Sequence, residues 1–396
     1  MNTNRRLRIR ATLIAFALIG VAVISTRHKA DTGTCSTQVI TLPFTDIAGS
    51  GFFCTIAEAY FSGLTNGTDA THYSPTANVT RDQMSAFITR TLDQSLKRGS
   101  ERAALDQFWT TQTTGGLGIT DLNGSLLNVK SDGLDLWVTD AGNATVHRVR
   151  SNTGNLLETW TGAAGATGVI VARGSIFITG FNSTNPSKLY SIDPTQPAGP
   201  VTTVTNSLAP GAEGIAYDGQ RIWTSNSSSV SRVSFNPVTV VDVVAGSIPS
   251  GILYDGANIW VSYSGESKLK KLDSSGTALL SVTVGASPLS PVFDGTNIWV
   301  PSFTDNTVSV VRAKGAQAGT ILATLSGNGL DSPRQTAFDG ERILVVNASG
   351  SVSLWRATDF SPLGNVSTGG TSSPEGACSD GVNFWIAMAN GKLARL

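Results

Sequence analysis

The sequence predicts a mainly β protein in which residues 117–396 form a seven-bladed β-propeller closed by an N-terminal strand. Three observations predict it. One phrase recurs: Asp-Gly, two residues, an apolar pair usually ending in Trp, then Val, Thr or Ile. It begins at Asp132, Asp218, Asp255, Asp294, Asp339 and Asp380, with a degenerate copy at Arg173-Gly174-Ser175-Ile176-Phe177. A period of about forty residues with four short apolar runs per period is the mark of propeller blades. Composition agrees, because 42 glycines beside only 14 % charged residues suit many short strands and exclude a helical bundle. Finally, Lys392-Leu393-Ala394-Arg395-Leu396 supplies only a third strand for blade seven. Gly118-Ile119-Thr120-Asp121 stands ahead of Asp132 where a fourth strand precedes every other Asp-Gly. A ring left with an unpaired edge would expose its amides, so the N-terminal strand is expected to fill the gap.

Each blade divides alike. A run such as Gly251-Ile252-Leu253-Tyr254 is the first strand, and Asp255-Gly256 makes a tight turn because Gly accepts positive φ. Asn258-Ile259-Trp260-Val261-Ser262 is the second strand, Val308-Ser309-Val310-Val311 exemplifies the third, and Ile321-Leu322-Ala323-Thr324-Leu325 the fourth. Trp137, Trp223, Trp260, Trp299 and Trp385 share one slot, filled by Phe177 and Leu344 in the other blades. A slot occupied in every blade reads as blade-to-blade packing, in preference to an aromatic carbohydrate platform. The repeated aspartates read as turn formers in preference to metal ligands.

Ahead of the propeller, residues 1–30 hold six of the 28 basic residues and no acid, with an apolar stretch from Ala11 to Ile24. That stretch is shorter than the ~20 residues of a membrane span and fits a signal peptide, with an uncleaved anchor as the alternative. Either reading places the remainder outside the cytoplasm, secreted or at the cell surface. The cysteines are Cys35, Cys54 and Cys378. A Cys35–Cys54 bridge and three free thiols both remain open.

Residues 41–95 read as a small helical module. Thr55-Ile56-Ala57-Glu58 and Thr80-Arg81-Asp82-Gln83 are capping boxes, and Met84, Phe87, Ile88 and Leu92 follow at helical spacing. Phe44-Thr45-Asp46-Ile47, Gly63-Leu64-Thr65-Asn66-Gly67, Tyr73-Ser74-Pro75 and Val79-Thr80-Arg81-Asp82-Gln83-Met84 together resemble one S-layer homology repeat. The resemblance implies attachment to a cell-wall polymer, and its Thr-Arg-Ala-Glu signature carries over only at Thr80 and Arg81. Family members usually hold three copies, and this chain shows one. Residues 96–116 read as a helical connector and hinge.

The propeller repeat resembles the broad NHL and streptogramin-lyase-like group over residues 117–396. Members range from binders to lyases and esterases, so the resemblance speaks for fold more than activity. The lyases use a histidine with an acidic neighbour and a divalent metal. Here the propeller has one histidine, His147, in a third-strand slot shared with Tyr190, Ser231, Lys270, Ser309, Ser353 and Ala394, and it reads as an exposed or edge residue. Cys378 shares its slot with Val171, Ala216, Leu253, Val292 and Ala337 and reads as a small core residue.

A site is expected at the entry ends of the first strands. Five residues before each turn stand Leu127, Gly168, Glu213, Ser250, Leu289, Arg334 and Glu375. Glu213, Ser250, Arg334 and Glu375 form the polar constellation, fit for a metal, a cationic group or a sugar, unless Arg334 and Glu375 pair with each other. Asp140, Asn182, Asn226, Glu266, Asp305 and Asn347 follow the second strands and are expected in loops of the same face, where recognition usually lives. No basic patch suited to nucleic acid is present, no membrane contact beyond residues 1–30 is expected, and no cofactor is indicated. The sequence therefore favours a surface binder of a glycan or protein, with a metal-assisted lyase or hydrolase at the axial mouth as the rival.

Overall fold

The computed structural model describes residues 30–35, 38–61, 65–81, 83–85, 87, 118–369 and 373–396. Residues 1–29, within the stretch read as a signal peptide, Gly63-Leu64, Asp82, Ile88, Leu92 and residues 96–116, read as a connector, lie outside the described residues. The chain divides into two compact units, Met1–Lys97 and Arg98–Leu396. Among the described residues no helix is long and apolar enough to cross a membrane.

The first unit opens with a hairpin absent from the sequence reading. Strand Asp31–Cys35 pairs antiparallel with Gln38–Leu42. The helix that follows, Phe53–Phe61, starts two residues ahead of the Thr55 capping box. Phe53, Ile56 and Ala57 must all reach the core with Leu42, Phe44 and Ile47, and Ser50 supplies the entry bonds to the amides of Phe52 and Phe53 instead. The second box forms as read: the Thr80 hydroxyl accepts from the Gln83 amide at 3.5 Å and Gln83 Oε1 from the Thr80 amide at 2.9 Å. Cys35 and Cys54 form a disulfide joining hairpin to helix. Two segments quoted for the S-layer resemblance meet, since Asp46 accepts the amides of Tyr73 and Ser74 and the Phe44 and Tyr73 rings touch.

The second unit is a seven-bladed propeller of four-stranded antiparallel sheets. The first strands are Leu126–Ser131, Ala166–Ala172, Ile215–Tyr217, Pro249–Tyr254, Val292–Phe293, Pro333–Phe338 and Pro374–Ser379. Each neighbours the first strand of the next blade, and the seventh neighbours the first, so the ring closes. Closure runs as predicted: Gly118–Asp121 is the outer strand of blade seven, with Ile119 opposite Ala394 and Thr120 opposite Leu393.

The hydrophobic core is divided among the seven blade interfaces. Leu122, Leu126 and Val129 pack with Trp385 and Ala387 between blades seven and one, and Trp299 with Ile343 and Val345 between blades five and six. The shared Trp slot is fully buried in every blade that has it, which bears out its packing role. The turn aspartates explain the slot further. Asp255 Oδ1 accepts the amides of Ala257 and Asn258, and Oδ2 accepts Trp260 Nε1 at 2.8 Å. Asp132, Asp218, Asp294 and Asp380 bind Trp137, Trp223, Trp299 and Trp385 in the same way. In blade six, where Leu344 has no N–H to give, Arg342 Nε donates to Asp339.

Candidate functional site

The seven positions at the first-strand entry ends converge as the repeat required. Leu127, Gly168, Glu213, Ser250, Leu289, Arg334 and Glu375 all line one axial cavity of about 260 Å³, joined by Asn128, Thr167, Ser290 and Gln335. A second-strand hydroxyl in each of the first four blades fixes the ring. Thr139, Thr179, Ser225 and Ser262 donate to the carbonyls of Thr167, Glu213, Ser250 and Leu289 on the following blade. The sequence carries the signal for it, a hydroxyl two residues past the aromatic slot. Glycine sets how closely the blades approach, because a Cβ on Gly168 would meet the Glu213 carbonyl oxygen at 2.3 Å.

Arg334 and Glu375, on adjacent blades, form a direct ion pair through Nη1 and Oε2. The guanidinium also lies 5.7 Å from the centre of the Phe303 ring, and its buried Nε has no hydrogen-bond partner. Ser250 is spent locally, donating to the Ile248 carbonyl and sharing a 2.8 Å bond with Ser264. Glu213 stands apart, with no hydrogen bond or ion pair to its carboxylate among the described residues. Water reaches it at the mouth, yet the surrounding blades strip part of its hydration and displace its pKa upward. With Arg334 and Glu375 neutralising each other, the mouth keeps one uncommitted negative charge.

The loop residues do not join this cavity. Asp140 and Asn226 are fully buried, a correction to their expected place on the loop surface. Asp140 accepts the amides of Ser125, Gly142 and Asn143. Burial alone would raise its pKa, but these bonds and the Asn143 side chain outweigh it and hold the carboxyl below its usual value. Asn226 Nδ2 donates to Ser229 and Ser231 while its oxygen accepts from Thr224. Glu266 and Asp305 play the same structural part nearer the surface, accepting the amides of Ser247 and Ala286, with Lys270 Nζ 2.7 Å from Glu266. Asp140, Glu266 and Asp305 thus tie down the loop that enters their own blade, while Asn226 braces the turn between its second and third strands.

His147 is likewise not an exposed residue. It is 5 % accessible, between Thr145, Thr159 and Asp140 Oδ2, the last at 3.5 Å. Burial lowers its pKa, although Asp140 pulls the other way, and it does not line the axial cavity. Cys378 is buried as expected, free of any disulfide. Among the described residues no three His, Cys, Asp or Glu side chains gather as a metal site. Thr80 and Arg81 are both exposed, Thr80 as helix cap and Arg81 beside it.

No protein-family model matches the sequence, and no curated protein matches it by sequence. Solved structures match the fold. A streptogramin B lyase superposes with TM-score 0.58 at 15 % identity over 71 % of this chain and 98 % of that one. A catalytically inactive virginiamycin B lyase from Staphylococcus aureus with quinupristin gives TM-score 0.59 at 14 % identity, over 70 % and 98 %. The WD40 propeller domain of Doa1 gives 0.58 at 10 % identity, over 70 % and 96 %. Identities this low establish the propeller and nothing about its chemistry.

Proposed function

We propose that this chain is an exported binding protein whose propeller receives a cationic or polyhydroxylated group of a glycan or protein ligand at the axial mouth. The observation that carries the reading is the uncommitted Glu213 carboxylate in a rigid, partly desolvated ring, beside an ion pair that is already satisfied. Water reaches this carboxylate, but no side chain among the described residues pairs with it, so an incoming ammonium or hydroxyl cluster finds an unoccupied acceptor. Export is supported by the arginine-rich start and by the Cys35–Cys54 bridge, which suits an oxidising compartment.

The test is a thermal-shift and calorimetric screen with glucosamine, N-acetylglucosamine and lysine-containing dipeptides. Ligands bearing an amine should stabilise the wild type, and Glu213→Gln should weaken them about tenfold or more while leaving the unliganded melting temperature unchanged. Binding requires the ionised carboxylate, and the folded-state pKa is raised above the ordinary 4.5. Affinity should therefore be full well above that value and fall as pH descends through the raised pKa, at a higher pH than for an ordinary glutamate. Equal binding by the Gln variant would sink the reading. The same raised pKa favours the rival, an enzyme using Glu213 as general base, and turnover of a screened compound by wild type but not by Glu213→Gln would establish it.

For the small module we infer attachment to an anionic cell-wall polymer, supported by the exposure of Arg81 next to the Thr80 cap. Arg81→Ala in the full chain should reduce retention on purified wall material about two- to fivefold, with stronger loss at higher salt in the wild type. Retention that is tight and indifferent to Arg81→Ala would remove the role.

A further inference from the structure

Below the mouth the axial channel changes character. Asn128, Gly214, Ser290 and Gln335 line both the mouth and a second chamber of about 370 Å³. Its wall is largely aliphatic and aromatic, with Ile170, Ile215, Leu253, Tyr217, Tyr254 and Phe293 facing it. A volume of this order lies within the roughly 300–1,000 Å³ of small-molecule sites, which are mostly apolar with a few placed polar groups.

One placed group is conspicuous. Lys130 lines the chamber from blade one, in the slot two residues before the turn that holds Val171, Ala216, Leu253, Val292, Ala337 and Cys378 in the other six blades. Six uncharged residues and one ammonium is a break in the repeat that packing does not require. The ammonium has no hydrogen-bond or ion-pair partner among the described residues. Its immediate neighbour Cys378 supplies no counter-charge, because burial pushes that thiol up to about 12. The flanking turn carboxylates, Asp132 and Asp380, are engaged with Trp137 and Trp385. Desolvation displaces the Lys130 pKa downward, which marks the cost of leaving this charge unpaired.

The ring is also lopsided at the turn end of the chamber. Immediately before the turns stand Tyr217, Tyr254, Phe293 and Phe338 in blades three to six, but Ser131, Ala172 and Ser379 in blades one, two and seven. Lys130 belongs to blade one, in the sector of the small residues, across the ring from Tyr217, Tyr254 and Phe293.

We propose that this chamber binds a small apolar carboxylate, an aryl- or acyl-alkanoate, with its carboxylate on Lys130 and its body against Tyr217, Tyr254 and Phe293. The anion pairs the ammonium while the aromatic wall takes the hydrocarbon, the division of labour expected of a charge-anchored apolar pocket. This chamber adjoins the mouth but takes a ligand of opposite charge and does not rest on the role of Glu213.

The test measures binding of 3-phenylpropionate and its neutral isostere 3-phenylpropanamide to the full chain by calorimetry. The acid should bind about tenfold or more tightly than the amide. Lys130→Met should erase that preference, Lys130→Arg should keep it, and Glu213→Gln should leave it unchanged. Equal affinity for acid and amide, acid binding untouched by Lys130→Met, or no binding of either up to about 10 mM would each overturn the proposal. Should Lys130→Met fail to fold, the acid-against-amide comparison in the wild type and in Lys130→Arg still decides.

Discussion

Removing residues 113–123 is expected to lower the melting temperature of the propeller by roughly 7–20 °C and to make the protein aggregate on heating. Gly118–Asp121 is the only strand of its sheet that comes from ahead of blade one, and it pairs along its whole length with Lys392–Arg395. Beyond the strand, the Leu122 amide donates to the Gly391 carbonyl, and the Thr120 hydroxyl ties to Gly154 of blade one at 2.7 Å. Leu122 is buried in the cluster between blades seven and one. Loss of one buried leucine is worth about 1.5–3 kcal/mol, and the lost pairing adds a further ~2 kcal/mol at about 0.5–1.5 net per hydrogen bond. For a domain of this size each kcal/mol moves the melting temperature by roughly 2–4 °C. The exposed Lys392–Arg395 edge would then offer unpaired amides to other chains. An unchanged melting temperature on calorimetry would mean that the ring does not depend on this strand.

That closure was legible because it follows from counting strands, and so was the ring of seven mouth positions. A repeat places equivalent residues at equivalent heights, so five residues before each turn had to converge on the axis once the blades were counted. The Arg334–Glu375 pair was legible as well, as the alternative to an open polar ring, since adjacency of blades follows from adjacency in sequence. What the repeat cannot report is which way a polar side chain turns. Asp140 and Asn226 end their second strands where a loop begins, the position of a surface ligand. Their side chains instead fold inward onto backbone amides and hydroxyls that only the folded loop presents. His147 misled for a related reason: a slot that accepts Lys, Ser, Tyr and Ala looks solvent-facing, yet Thr145, Thr159 and Asp140 build it a buried polar nest. The early hairpin at 31–42 escaped because five-residue strands carry too little alternation to stand out. Lys130 was visible as a charge in an otherwise uncharged slot, but only the structure shows that the slot opens on a chamber.

Asp-Gly spacing marks the turn aspartates as turn formers, but half of their work lies in the bond to tryptophan. Asp255→Ala is therefore expected to cost more than a turn residue should, about 3–5 kcal/mol, or roughly 6–20 °C in melting temperature. Asp255 is 1 % accessible, and its carboxylate holds the turn amides of Ala257 and Asn258, Trp260 Nε1, and Lys271 Nζ at 3.8 Å. Lys271 in turn lies 5.2 Å from the centre of the Trp260 ring. Alanine would leave the buried indole N–H and the turn amides without their acceptor, while Lys271 keeps the Ala313 carbonyl, and a buried unsatisfied group costs about 1–3 kcal/mol. Asp255→Asn separates the two functions. Its carbonyl oxygen can still accept the turn amides, but its NH₂ would face the Trp260 N–H donor to donor, so it should recover about half of the loss. Trp260→Phe should cost about 2–4 kcal/mol from lost volume and the stranded carboxylate oxygen, and combining it with Asp255→Asn should cost less than the sum by about 1 kcal/mol. Blade two contains the internal control, because there Arg173 replaces the aspartate and Phe177 the tryptophan, with the Arg173 guanidinium 4.7 Å from the Phe235 ring centre. Arg173→Ala should therefore cost under about 1 kcal/mol. Denaturant titrations in which Asp255→Ala and Arg173→Ala proved equally mild would show that the aspartate to tryptophan bond does not hold the blades.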